Sequence, residues 1–213
     1  MIDFRLCLVT DRTLCRSSLG GGDATAPLRR AVADACRAGV RAVQLREKDL
    51  EARDLFRLAC GLRDDTARHG CRLLINERLD IALAAAADGV HCPEAGFPPR
   101  AAREILGPGS MIGVSCHSLE AVEQAERAGA DFVFYGPVFP TRSKPEKPAG
   151  LGALREACES TGMPVFAIGG VTPERAVECV DAGARGVAVV SALLGVEDVG
   201  AAVRAFADAM GAL

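Results

Sequence analysis

The sequence predicts an α/β fold, a single (β/α)8 TIM barrel over residues 1–213, on three observations. Eight short apolar runs recur along the chain, amphipathic stretches separate them, and glycine follows the ends of several of those stretches. Each run is too short for a helix, rich in β-branched residues and without strict alternation, the pattern of a strand buried on both faces. Consecutive parallel strands need crossover helices, and eight units of ~27 residues use the chain without remainder. A doubly wound open sheet would be expected to carry Gly-x-Gly-x-x-Gly after its first strand, and none stands there.

The first run is Arg5-Leu6-Cys7-Leu8-Val9, and a helix is predicted over residues 27–38 with Pro27 at its first position. Ala42-Val43-Gln44-Leu45 is the second, followed by an amphipathic stretch over 51–69. Arg72-Leu73-Leu74-Ile75, Gly89-Val90-His91 and Met111-Ile112-Gly113-Val114 are the third to fifth, with a helix over 118–128 behind them. Phe132-Val133-Phe134-Tyr135 is the sixth. Val165-Phe166-Ala167-Ile168 leads into a helix over 173–182, with Thr172 as its N-cap and Pro173 first in the helix. Gly186-Val187-Ala188-Val189-Val190 is the eighth. Ala38-Gly39-Val40, Ala128-Gly129-Ala130-Asp131 and Ala182-Gly183-Ala184-Arg185 repeat one signature, a glycine able to take the left-handed C-cap before the next strand.

Composition narrows the function. With 28 acidic and 25 basic residues, a net charge of -3 and 49% apolar residues, the chain reads as globular rather than disordered. It has no Trp and one Tyr, so a stacking platform for nucleic acid is not expected. No apolar run approaches a membrane span and no basic-then-apolar leader opens the chain, so the expectation is a cytoplasmic protein without a membrane partner. The nine cysteines include no Cys-x-x-Cys pair, which points to free thiols rather than zinc or disulfide chemistry.

In such a barrel, chemistry sits in the loops after the strands. Gln44, Arg46 and Lys48 fall on one side of the second strand's end by the period of two, two cations and an amide suited to an anion. Solvated ends paired to Glu47 or Asp49 are the alternative. Asn76 and Glu77 follow the third strand: Asn76 could cap the next helix, and Glu77 could hold Mg²⁺ against a phosphorylated ligand. His91 and His117 follow the fourth and fifth strands, and Ser115 or Ser118 stands where a serine caps the next helix. The loop over 136–150 is long, with four prolines, Thr141, Ser143 and Lys144, as a functional lid would be. Gly169 and Gly170 after the seventh strand, with Val190 and Ser191 after the eighth, occupy the usual phosphate site of this barrel. The residues therefore predict two anion sites across one mouth, for two small phosphorylated ligands or one elongated one.

Nearly the whole chain resembles the superfamily of thiamine phosphate synthase and thiazole tautomerase. The carriers are Leu8-Val9-Thr10-Asp11-Arg12, Val43-Gln44-Leu45-Arg46-Glu47-Lys48, Ile75-Asn76-Glu77-Arg78-Leu79-Asp80-Ile81-Ala82, Asp88-Gly89-Val90-His91, Gly113-Val114-Ser115, Gly136-Pro137-Val138-Phe139-Pro140-Thr141, Ile168-Gly169-Gly170-Val171-Thr172-Pro173 and Gly186-Val187-Ala188-Val189-Val190-Ser191. The resemblance implies coupling of an aminopyrimidine methyl diphosphate to a thiazole phosphate with loss of diphosphate, by a dissociative route. It implies Gln44 at the pyrimidine and Arg46, Lys48 and Asn76 at the diphosphate. Ser115 would lie near the reacting methylene, with Thr141, Ser143 and Lys144 in the closing loop. Gly170, Val190 and Ser191 would hold the thiazole phosphate, with Gly169 beside them.

Two departures qualify it. Where the family's synthases carry two Mg²⁺-binding aspartates, this chain has Glu77 and Gly96, which predicts a weakened metal site at Glu77 with Glu94 as a substitute. The stretch over 92–98 looks more like the tautomerase, which uses a histidine at the place of His117. A tautomerase has no use for a diphosphate clamp, however, and Gln44, Arg46, Lys48 and the Thr141, Ser143, Lys144 set are all retained. Synthase is the reading, with the tautomerase, or a barrel that binds thiazole or thiamine phosphate without turnover, as alternatives. A homo-oligomer is compatible with this, since such barrels often associate.

Overall fold

The computed structural model describes residues 2–15, 25–141 and 147–211. Eight parallel strands close into a barrel in sequential order: β1 (Leu6–Val9), β2 (Ala42–Leu45), β3 (Arg72–Asn76), β4 (Gly89–Cys92), β5 (Met111–Cys116), β6 (Phe132–Tyr135), β7 (Val165–Ile168) and β8 (Gly186–Val189). The ring shuts where Leu6 pairs with Val187 and Leu8 with Val189. Around it run α1 (Ala26–Ala38), α2 (Ala52–Ala67), α3 (Leu79–Ala84), α4 (Pro99–Leu106), α5 (Leu119–Arg127), α6 (Gly150–Glu159), α7 (Pro173–Asp181), α8 (Ser191–Leu194) and α9 (Val199–Met210). No described helix is long and apolar enough to cross a membrane.

Each strand feeds two cores, because successive side chains point to opposite faces. Leu6, Leu8, Val43, Leu45, Leu73, Ile75, Val133 and Val187 pack outward against the helices. Cys7, Val9, Ala42, Leu74, Phe132, Phe134, Phe166 and Ala188 fill the barrel interior. Phe4 plugs the end opposite the strand C-termini, stacked on Phe166 at 4.9 Å and edge-on to Phe132 at 5.8 Å. The interior is therefore a packed core rather than a channel, and only its C-terminal end is open to chemistry.

The strand predictions hold to within a residue or two. Thr172 caps α7 as expected, accepting from the Arg175 N–H, and Ser118 caps α5. Pro27 sits one position further into α1 than predicted, since Ala26 begins it. Gly39, Gly129 and Gly183 all have positive φ, and at each the following N–H bonds back five residues, as in Val40 N–H to Ala35 O at 3.0 Å. The same closure ends α3, Ala87 N–H to Ala82 O at 2.9 Å, but with Ala86 in the left-handed position at φ 49. A Cβ there is strained where glycine is not. Ala86→Gly is accordingly expected to raise unfolding free energy by ~0.5–1 kcal/mol in urea titration, and a loss of stability would contradict it.

Candidate active site

The inward residue nearest the open end of each strand changes character around the barrel. On β2 to β5 it is polar: Gln44, Asn76, His91 and Ser115. On β6, β7, past β8 and on β1 it is apolar: Phe134, Ile168, Val190 and Val9. One half of the mouth can thus hydrogen-bond a ligand while the other packs against it.

The polar half is wired in two pairs between adjacent strands. Gln44, 2% exposed, donates through Nε2 to Asn76 Oδ1 at 2.8 Å. Asn76 is thereby engaged with β2 rather than capping α3, whose first turn lacks a side-chain cap. His91 Nε2 lies 2.9 Å from Ser115 Oγ, and the ring stacks on Phe134 with centroids 4.1 Å apart. Burial, and secondarily the charge of Arg46, lowers the His91 pKa to about 3. His91 is therefore neutral in the folded chain at pH 7 and ordinary in the unfolded one. Its contribution to stability is present above the ordinary histidine pKa and is lost as pH falls from there toward about 3. Replacement by leucine removes that slope. The wild type is expected to lose ~2 kcal/mol relative to His91→Leu between pH 6.5 and 5, at ~1.4 kcal/mol per pH unit, and parallel stability curves would refute this.

A third cation, Arg12, takes the two carboxylates that flank Lys48 beyond β2. Arg12 binds Glu47 at 3.0 Å and Asp49 at 2.6 Å, and its backbone N–H also donates to Glu47 at 3.1 Å. Its hydrogen bond holds the Asp49 carboxyl at about 2, well below the usual carboxylate range. Both carboxylates that could have neutralised Arg46 and Lys48 thus belong to Arg12. Among the described residues neither cation's side chain makes an ion pair. The Arg46 N–H donates to Thr10 Oγ1 at 2.9 Å, and Thr10 N–H to Gln44 O at 2.9 Å, which fixes the backbone that carries the pair.

Glu77 follows β3 with its side chain exposed and its backbone at φ 66, pinned by its N–H to His91 O at 3.0 Å. A left-handed glutamate is uncommon and strain of this kind concentrates at functional sites. Glu94 instead accepts from the His117 backbone N–H at 2.9 Å and lies 2.7 Å from His117 Nδ1. Gly96 closes a turn onto Pro93 O at 2.9 Å and supplies no ligand. No group of three or more histidine, cysteine or acidic side chains is gathered for a metal among the described residues.

On the apolar half, Gly169 and Gly170 have φ 96 and 65, and a Cβ on either would collide with the loop after β6, at 2.6 Å from Pro137 and 2.5 Å from Pro140 O. That loop is stitched to them by Val138 N–H to Ile168 O at 2.9 Å and Phe139 N–H to Gly169 O at 3.1 Å. Its two ends are joined by Ala149 N–H to Pro137 O at 2.8 Å. Arg175 locks the assembly, donating to Gly170 O at 2.7 Å with its guanidinium 4.7 Å above the Phe139 ring. Val190 precedes the single turn α8, where the Ser191 and Ala192 N–H groups lack intrahelical acceptors. Thr141 is the last described residue before 147 in the loop after β6, while Ser143, Lys144 and Gly20-Gly21-Gly22 lie outside the described residues.

The structure thus places Gln44, Arg46, Lys48, Asn76, Glu77, Ser115 and His117 at or just beyond the C-terminal ends of β2, β3 and β5, with Gly169, Gly170, Val190 and Ser191 just beyond β7 and β8. Sequence reasoning missed the supporting residues Thr10, Arg12 and Arg175 and the bond between His91 and Ser115. The Thr10-Asp11-Arg12 run after β1 was the available signal for the first two.

A sequence model described as thiamine monophosphate synthase matches residues 6–193. The chain is similar to a thiamine-phosphate synthase of Moorella thermoacetica, 42% identical over 190 residues, covering 88% of this chain and 89% of the relative. It is similar to one of Coprothermobacter proteolyticus, 38% identical over 205 residues, with 96% and 93% covered. Among solved structures, thiamine phosphate pyrophosphorylase from Pyrococcus furiosus superposes with a TM-score of 0.85 at 34% identity, covering 98% of this chain and 96% of the other. With the barrel, the polar half-mouth and these likenesses together, the chain belongs to the thiamine monophosphate synthase family.

Proposed function

We propose that the protein is a thiamine-phosphate synthase, joining an aminopyrimidine methyl diphosphate to a thiazole phosphate and releasing diphosphate. The observation that carries this reading is the pair Arg46 and Lys48, without a carboxylate partner among the described residues because Arg12 takes Glu47 and Asp49. A barrel handling one monophosphate would need no second cationic site opposite its glycine turn.

In this reading Gln44 and Asn76, already bonded to each other, orient the pyrimidine, and Arg46 and Lys48 draw the diphosphate to the end of β2. As the bond from methylene to diphosphate oxygen breaks, both electrons leave with the oxygen, and the cations stabilise the growing charge. The aminopyrimidine carries the positive methylene until the thiazole nitrogen attacks it. Ser115 stands beside this centre, Thr141, Ser143 and Lys144 close over it, and Gly169, Gly170, Val190 and Ser191 hold the thiazole phosphate. No cysteine takes part.

Mg²⁺ fits this donor set as an ion shared with substrate, since it commonly takes few protein carboxylates together with phosphate oxygens and water. Glu77 would hold it, while Glu94 is occupied by His117. When bound, the ion would help neutralise the departing diphosphate. The nine free cysteines fit a reducing cytoplasmic setting, and we read residues 1–213 as one domain.

A turnover assay with both substrates, with and without Mg²⁺, tests the reading by following thiamine phosphate and diphosphate together. Metal-dependent appearance of both is expected. Absence of coupling by folded protein would overturn it and turn attention to carboxythiazole phosphate isomerisation, for which the pairing of His117 with Glu94 offers an oriented base.

A further inference from the structure

We propose that His91 is a positioning residue that donates its Nε2–H to Ser115 Oγ, so that the Ser115 hydroxyl keeps its own proton for an acceptor atom of the substrate. The inference rests on the synthase reading in placing Ser115 beside the reacting methylene. Its evidence lies below the mouth.

His91 is 1% exposed, and its two ring nitrogens have different surroundings. Nε2 is 2.9 Å from Ser115 Oγ, whereas Nδ1 is buried without a hydrogen-bond partner among the described residues. A neutral imidazole carries one N–H, so only two arrangements compete. With the proton on Nδ1, a buried N–H would be orphaned, a rare condition in folded proteins. With the proton on Nε2, the N–H is satisfied by Ser115 and only a lone pair goes unused.

Gly113 decides between them. A Cβ built on Gly113 would sit 2.6 Å from His91 Nδ1, so a Cα–H of that glycine points toward this nitrogen. A C–H aimed at a bare lone pair is weakly attractive, while the same C–H aimed at an N–H is repulsive. The ring cannot exchange its edges freely, being stacked on Phe134 at 4.1 Å and tilted against Phe132 at 5.8 Å. Burial and the charge of Arg46 also keep the ring neutral at working pH.

The consequence concerns the serine. A hydroxyl that accepts from Nε2–H does not give its hydrogen back to that nitrogen, so its own O–H is turned elsewhere. Ser115 is partly exposed at the mouth, where the bound substrate supplies the acceptor. In the opposite tautomer the hydroxyl would spend its proton on the imidazole and offer the substrate only lone pairs.

Two measurements test this. In full-length protein labelled with ¹⁵N-histidine, two-bond ¹H–¹⁵N spectra report the tautomer of each of the three histidines, with His91→Gln used to assign the signal. His91 is expected as the neutral Nε2–H form from pH 8 to 5, and an Nδ1–H or imidazolium pattern would overturn the proposal. This readout needs no turnover, so it stands apart from any failure of the synthase assignment.

The second is a kinetic cycle of His91→Leu and Ser115→Ala. Alone, His91→Leu is expected to lower kcat ~10-fold or more with KM changed less than ~3-fold. In the Ser115→Ala background it should cost less than ~2-fold, because the hydroxyl it orients is gone. His91→Gln, whose amide also offers an N–H at that reach, should recover most of kcat. Multiplying losses, or no recovery by glutamine in folded protein, would mean that His91 acts only as packing.

Discussion

Lys48→Ala is expected to lower kcat for coupling by ~10²-fold or more, the scale of removing one group that stabilises developing charge. Lys48 stands exposed beyond β2, two residues past Arg46, and makes no ion pair among the described residues. Its removal leaves the Arg12 link to Glu47 and Asp49 intact, so the fold should keep its melting temperature while turnover falls. The loss should appear in kcat more than in KM, because the diphosphate gains charge as it leaves. Lys144→Ala is expected to act in the same direction. Unchanged rates in both variants would remove the clamp from the mechanism.

A large loss of stability should come from Gly89→Ala, at the first position of β4. A Cβ there would lie 1.9 Å from Met111 O and 2.7 Å from Met111 N. Neither atom can move aside cheaply, since Met111 N–H bonds Asp88 O at 2.9 Å in the neighbouring strand. The strands must separate or the ladder must break, at about 3 kcal/mol or more, which corresponds to a fall in Tm of ~6–12 °C for a chain of this size. Gly109→Ala is the control, because nothing lies within 4 Å of its added carbon. It should stay within ~0.5 kcal/mol of wild type, and equal melting temperatures for the two variants would contradict the clash.

What was legible in the sequence was whatever depended on local pattern. Runs such as Phe132-Val133-Phe134-Tyr135 are buried on both faces and so announce a strand wherever they occur. Gly39, Gly129 and Gly183 mark helix ends because their backbone is one that other residues resist. Short helices were less visible: α3 has six residues and α8 four, too few turns to show a period. The candidate site divides the same way. Gln44, Arg46 and Lys48 follow from the period of two, but that Glu47 would turn to Arg12, 35 residues earlier, depends on the pairing of β1 with β2. Local spacing likewise suggested that Asn76 caps a helix, and only the pairing of β2 with β3 brings Gln44 to it.

The cysteines are placed as depth gauges for motion. All nine are free and none is exposed. Burial pushes the Cys7 thiol well up inside the barrel, the Cys92 and Cys116 thiols to about 11 and 12 on the outer faces of β4 and β5, and the half-buried Cys15 thiol to about 11. A thiolate-seeking reagent added to the native protein must therefore wait for an opening that bares and re-wets the buried sulfurs of Cys7, Cys92 and Cys116. Cys15 would report movement near the β1 loop, Cys158 movement beside α6, and Cys7 parting of the barrel itself. Alkylation followed site by site would convert an apparently passive composition into a depth-resolved record of how this enzyme breathes.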